Sequence, residues 1–169
     1  MLSEKMQDGL NAQINTEMQA YYTYLSMSAY FEDLGLKGFA MWMFHHAQEE
    51  MTHAMKIYDF IHSRRGRVKL DALHQPPHDW GNAIEAAKDA LAHEEKVTKS
   101  INNLVKMARE EADYATDSFL QWFVDEQVEE EEVVDELIQK LMLIGDFSPG
   151  LYLLDRELSE APTETEAEA

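Results

Sequence analysis

The chain has 169 residues, enough for one domain with a sizeable core, and its 45% hydrophobic and 28% charged residues fit a soluble globular protein. The lack of cysteine excludes disulfides, thiolate zinc sites, iron–sulfur clusters and a rubredoxin-like module, and no run of about 20 apolar residues is present to span a membrane. With 33 Asp and Glu against 14 Lys and Arg, the formal charge is −19; such a surface repels nucleic acid and anionic lipid and gathers cations, although it serves solubility equally well.

The start, "MLSEKMQDGL", has no apolar stretch after a basic segment, so no secretory signal is expected and the cytoplasm is the expected setting. Glycine and proline then fall in few places, and the stretches between them repeat apolar residues with helical period. Helix α1 is predicted over about 4–33, ending before "DLGLKG", and α2 over about 37–64, stopping at "RRGR". Helix α3 is predicted over about 82–111, where Asn82 and Glu85 have the spacing of a capping box. Helix α4 follows over about 114–144 and ends at Gly145. Ser148 before Pro149 marks the start of a short α5, about 149–158. These helices make one domain, 1–158. The remaining residues, 159–169, are acidic and without aromatics, and read as a flexible tail.

Connection lengths set the topology. The α1–α2 and α3–α4 turns are short, so each pair is expected to be an antiparallel hairpin. The segment between α2 and α3, "GRVKLDALHQPPHDWG", is much longer. At about 3.3 Å per extended residue it reaches along a helix of roughly 40 Å, which lets α2 and α3 run parallel. The predicted fold is all-α: a four-helix bundle with one long crossover and a short fifth helix, the connectivity of ferritin-like folds.

Steps of three and four along each helix give four seams. They read Leu10, Ile14, Glu17, Tyr21, Tyr24, Ser28, Phe31 on α1, and Phe39, Met43, His46, Glu50, His53, Ile57, Phe60 on α2. On α3 the seam is Ile84, Ala87, Leu91, Glu94, Thr98, Ile101, Val105. On α4 it is Leu120, Phe123, Gln127, Glu130, Val134, Leu137, Leu141, Ile144. Every seam is apolar towards its ends and polar near its middle. Glu17 and Glu94, Glu50 and Gln127, and His53 and Glu130 all stand 77 residues apart, so the polar residues lie level when the hairpins pack. A buried, unpaired carboxylate costs several kcal/mol, and Lys88, Lys96 and Lys99 fall off the α3 seam. Divalent cations would neutralise such a cluster, and oxygen donors with one imidazole suit iron or manganese. Glu50-x-x-His53, whose i, i+3 spacing puts both side chains on one face, is therefore read as half of a metal site.

The stretches "INTEMQAYYTYLSMSAYFE", "GFAMWMFHHAQEEMTHAMKIYDFI", "AHEEK" and "FVDEQVEEE", in order on four helices, resemble the signatures of prokaryotic non-haem ferritins. The resemblance covers nearly all of residues 1–158. It implies a hollow homo-oligomeric shell of about 24 subunits that oxidises Fe(II) with oxygen or peroxide at an intrasubunit diiron centre and stores the ferric mineral. It also implies that Glu17, Glu50 and His53 hold a first iron, with Glu50 bridging to a second held by Glu94 and Glu130 beside Gln127. Glu49, Glu126, Glu129 and Glu130 would form a third site, Tyr24 would lie against the centre in a redox role, and Trp122 could supply another electron. Outside that set, His46 reads as a satisfied core histidine, and His74 and His78 as loop residues.

The departures separate subfamilies. Gln127 and Glu130 stand where bacterioferritins carry a second E-x-x-H, and rubrerythrins need cysteines that this chain lacks. Met51 occupies the place of a haem-ligating methionine, but no haem is expected. Two readings compete with iron storage. One is a diiron oxidoreductase acting on peroxide or an organic substrate, with a haem-binding bacterioferritin-like variant beside it. The other is a metal-buffering bundle without redox chemistry.

Overall fold

The computed structural model describes residues 1–160. The chain forms five helices: α1 (Glu4–Asp33), α2 (Lys37–Ser63), α3 (Ala83–Glu110), α4 (Tyr114–Ile144) and α5 (Ser148–Glu160). There is no strand among the described residues, and no helix is long and apolar enough to cross a membrane. The fifth helix starts one residue earlier and runs two residues further than the sequence suggested, taking in Ser159 and Glu160. The rest of the expected tail, 161–169, lies outside the described residues.

Local chemistry explains most helix starts. Ser3 Oγ accepts from the Met6 N–H at 3.0 Å, Asn82 Oδ1 from Glu85 at 2.9 Å and Asp113 Oδ1 from Thr116 at 3.2 Å. Leu36, which precedes α2, has no such side chain. Asp155 on α5 supplies the missing acceptor, its Oδ1 lying 3.0 Å from the Phe39 backbone nitrogen. The approach is so close that a Cβ on Gly38 would stand 1.6 Å from the Asp155 carbonyl oxygen. Only glycine fits there.

The first three helices end alike, each by a bond from a backbone N–H back to a carbonyl five residues earlier: Leu36 to Phe31, Gly66 to Ile61 and Asp113 to Ala108. The residue that turns the chain is left-handed in each, with φ of 76° at Gly35, 61° at Arg65 and 54° at Ala112. At "RRGR" the turning residue is thus Arg65, and not the glycine that signals the stop.

The crossover runs along α1 and is pinned to it. Gln7 Oε1 accepts from Arg67 N, and Asn11 bonds Arg67 O and Lys69 N. Gln19 bonds both N and O of His74, and Ser26 Oγ donates to Pro77 O. Side-chain amides thus serve as the partners that an extended segment would otherwise find in a sheet. Advancing from Gln7 to Ser26, the strap carries the chain from the far end of α2 back to its near end, so α2 and α3 run parallel.

Two apolar clusters fill the bundle. One contains Phe31, Phe39, Met43, Val134 and Leu137; the other Met6, Leu10, Ile57, Ile101 and Phe123. Such burial, about 1.5–3 kcal/mol for each large side chain, is the main drive for folding. The α1, α2 and α4 seams are buried as expected, except that Tyr21, Phe60 and Ile144 are half-covered. On α3 the buried stripe is wider than the predicted line. Ile84, Leu91 and Thr98 sit at its margin, while Ala83, Ala86, Ala90 and Val97 are buried.

Candidate metal centre

Between the two apolar clusters lies a polar layer: Glu17, His46, Glu50, His53, Glu94, Gln127 and Glu130, all buried. One ligand atom each from Glu17, Glu50 and His53 falls within 4.8 Å of the others, a spacing that one metal ion can span. Glu17 Oε2 and Glu50 Oε2 are buried and accept from no N–H or hydroxyl; the two carboxyl groups face each other, and His53 Nδ1 lies 3.5 Å from Glu50 Oε2. Two orphaned carboxylate oxygens beside an imidazole fit a hard divalent cation. His53 is fixed by edge contacts with Trp122 and Phe123, whose ring centroids lie 5.4 and 6.0 Å away.

The other half is arranged differently. Glu94 joins no metal-sized cluster among the described residues. Its Oε1 accepts from the Tyr24 hydroxyl at 2.5 Å and its Oε2 from Gln127 Nε2 at 3.3 Å. Glu130 Oε2 lies 3.2 Å from His46 Nδ1, which also lies 3.2 Å from Glu49. His46 is thus a satisfied core histidine, but two of the candidate ligands satisfy it. A stacked Tyr24 ring and a tilted Trp42 ring complete its cage.

No Lys or Arg pairs with Glu17, Glu50, Glu94 or Glu130 among the described residues. Protons take up part of this charge. Burial raises the Glu17 pKa against the opposing pull of Glu50, His53 and Gln13, and raises that of Glu50 well above the usual range, helped by the charges of Glu94 and Glu17. Glu94 is pushed up to about 7 by burial and by Glu130, although hydrogen bonds from Tyr24 and Gln127 oppose the shift. Burial should lower His46, but its hydrogen bonds to Glu130 and Glu49 outweigh that and raise it to about 10. Burial likewise works against the charged form of Glu49, yet His46 holds its pKa below normal. Tyr24 is raised well above its ordinary value by burial and by Glu94, so it is a neutral donor.

The remaining sequence-derived residues divide. Glu126 is half-buried and converges with His53 and Glu130, and Glu49 converges with His46 and Glu130. Glu129 is exposed and belongs to neither cluster. Trp122 carries the Lys56 ammonium 3.4 Å above its ring. Met51 is half-buried on α2. The sequence reading passed over Gln13, which is fully buried and donates to Glu17 at 2.8 Å. An amide one turn before a candidate ligand was the available signal.

Residues 7–144 match the family model for a ferritin-like domain. The chain is 42% identical over 158 residues to a bacterial non-heme ferritin of Staphylococcus aureus strain USA300, covering 94% of this chain and 95% of that one. It is 41% identical to the corresponding protein of Staphylococcus haemolyticus, with 94% and 96% covered. Among solved structures, the open pore ferritin of Archaeoglobus fulgidus superposes with a TM-score of 0.94 at 49% identity, covering 96% of this chain and all of that one. A humanized archaeal ferritin gives 0.94 at 47%, with 96% and 98% covered. With the family model matched across four helices and identity above 40% along nearly the whole chain, the protein belongs to the ferritin family, among its prokaryotic non-haem members.

Proposed function

We propose that the protein stores iron: it oxidises Fe(II), its substrate, at the centre in each subunit and keeps the ferric product soluble inside a hollow shell of about 24 copies. The observation that carries this reading is the convergence of Glu17, Glu50 and His53 on one point, with two buried carboxylate oxygens that no N–H or hydroxyl donor satisfies. In this reading they hold the first iron, and Glu50 bridges to a second held by Glu94 and Glu130 beside Gln127. Glu49, Glu126, Glu129 and Glu130 form a third station further out.

The ligand chemistry suits the task. Hard carboxylates favour Fe(III) over Fe(II), which lowers the potential and drives electrons towards oxygen or peroxide. A pair of Fe(II) ions gives one electron each to a molecule of oxygen, which leaves as hydrogen peroxide after taking up two protons. The halves differ in readiness. The first set stands assembled, whereas Glu94 and Glu130 also hold the Tyr24 hydroxyl and His46, which lie on the same carboxylates. Weaker retention at the second position favours release of product. We place the activity in the cytoplasm, where thiol buffers keep the medium reducing.

The test is to load the purified protein anaerobically with Fe(II), admit oxygen, and follow ferric absorbance with light scattering. Oxidation of many irons per subunit, in a soluble particle far larger than a dimer, is expected. Oxidation that stops at a few irons, with precipitation of the rest or a monomeric particle, would overturn the reading.

A further inference from the structure

The two halves of the polar layer hold their carboxylates by different donors. Glu94 on α3 takes the hydroxyl of Tyr24, which comes from α1. Glu17 on α1 takes the amide of Gln13, one turn earlier on the same helix face, at 2.8 Å. Gln13 is 0% exposed, and its carbonyl oxygen accepts in turn from the Ser100 hydroxyl of α3 at 2.5 Å. At the 77-residue offset that relates the two hairpins, Gln13 corresponds to Ala90 and Tyr24 to Ile101, so neither donor is repeated in the other half.

We infer that Gln13, locked by Ser100, is the positioning residue that aims Glu17 at the first metal ion. A metal-binding carboxylate is ionised and can only accept, so the Gln13 amide must turn its NH2 group towards Glu17. The carbonyl end then faces Ser100, whose hydroxyl fixes the amide against flipping. Because Gln13 engages Oε1, the atom left over is Oε2, which is buried and accepts from no N–H or hydroxyl. The bond thereby presents Glu17 through a single chosen oxygen and restricts the side-chain torsions. Support of this kind around ligands typically changes metal affinity by about 10- to 100-fold. The inference rests on the reading of Glu17 as a metal ligand.

The test uses the assembled, metal-free protein and two redox-inert probes, Zn(II) by calorimetry and Co(II) by its visible absorption. Gln13→Leu should weaken the first site by about 10-fold or more and change its Co(II) band, leaving the second site and the particle size as in the wild type. Ser100→Ala should shift both readouts the same way by a few-fold, and Ser100→Thr, which keeps the hydroxyl, should restore them. Wild-type affinity and band shape in Gln13→Leu would overturn the inference. Should that variant fail to assemble, Ser100→Ala decides, and wild-type binding there overturns it equally. Glu17→Ala separates the two levels. If it binds like the wild type, the assignment of Glu17 as a ligand has failed; if it binds weakly while Gln13→Leu does not, only the role of Gln13 has.

Discussion

The Tyr24 hydroxyl reaches across from α1 to Glu94 on α3 and donates to it over 2.5 Å, with Tyr24 only 2% exposed. This bond ties the two hairpins together at the level of the candidate metal centre. Removing the hydroxyl in Tyr24→Phe leaves a buried carboxylate oxygen short of a donor, which costs about 1–3 kcal/mol where that oxygen is charged. We expect second-site metal affinity to change and any tyrosyl signal in electron paramagnetic resonance after oxygen exposure to vanish. An unchanged radical signal in Tyr24→Phe would assign the radical to another side chain, such as Trp122.

The first site and the outer third station predict unequal mutants. His53→Ala removes the only imidazole of the Glu17–Glu50–His53 set and should slow the first rapid oxidation by about 10- to 100-fold. Glu129 is exposed and outside the converging clusters, so Glu129→Ala should spare that phase and alter only how fast the centre clears. Stopped-flow absorbance after mixing with oxygenated Fe(II) separates the phases. Equal slowing in both variants would remove the distinction.

The buried acids make the metal-free protein sensitive to base. Glu17, Glu50 and Glu94 all have folded pKa values raised above their unfolded ones, Glu94 to about 7. The folded state therefore binds more protons than the unfolded state over that range. The resulting stability is fully present below about pH 4.5 and is lost as pH rises through the folded values. His46, raised to about 10, acts in the same direction between about pH 6.5 and 10. The metal-free Tm should fall by several degrees from pH 6 to pH 8, by less in Glu94→Gln, and hardly at all with saturating Zn(II). Metal binding should release protons and tighten as pH rises. A Tm that climbs with pH in the metal-free protein would refute the account.

Calorimetry can also test the borrowed cap. Asp155→Ala should cost about 1 kcal/mol by unsatisfying the Phe39 N–H. Gly38→Ala should cost more, since its Cβ would overlap the Asp155 carbonyl and push α5 off α2. The reverse order would mean that the hydrogen bond, and not the close approach, seats α5.

Ala112, like Arg65, is a left-handed turn residue that carries a side chain, and it invites improvement. With φ of 54° it holds a conformation that costs a side-chain-bearing residue about 1–2 kcal/mol. Ala112→Gly should stabilise the protein by about 0.5–1 kcal/mol after the entropy of glycine is counted, and denaturant midpoints would show it. Destabilisation would indicate that the methyl group packs favourably.

Much of this was legible in the residues. The polar interruptions in four apolar seams picked out residues that the fold does bring into one buried layer, because burying carboxylates at one level needs a compensating charge. The fold class followed from two short turns and one long one. What escaped was whatever depends on side chains meeting across elements. Gln13 carries no charge to mark it, and Asp155 caps a helix that begins 118 residues earlier in the chain. The wider stripe on α3 escaped because alanines, which let helices approach, scarcely register as an apolar seam. Arg65 took the left-handed turn although a glycine stood beside it, since the six-residue closure back to Ile61 sets the position and not residue preference.

The two apolar clusters that flank the polar layer close it off along the bundle axis in both directions, so nothing charged can travel lengthwise. Under the proposed function, a sideways route avoids that apolar packing. Exposure rises outward among the glutamates of α2 and α4: Glu130 is buried, Glu126 and Glu49 are half-buried, and Glu129 is open to solvent. Under the proposed function, an ion leaving the centre along that side would regain water in stages, so the side that is not oil would set the direction of release.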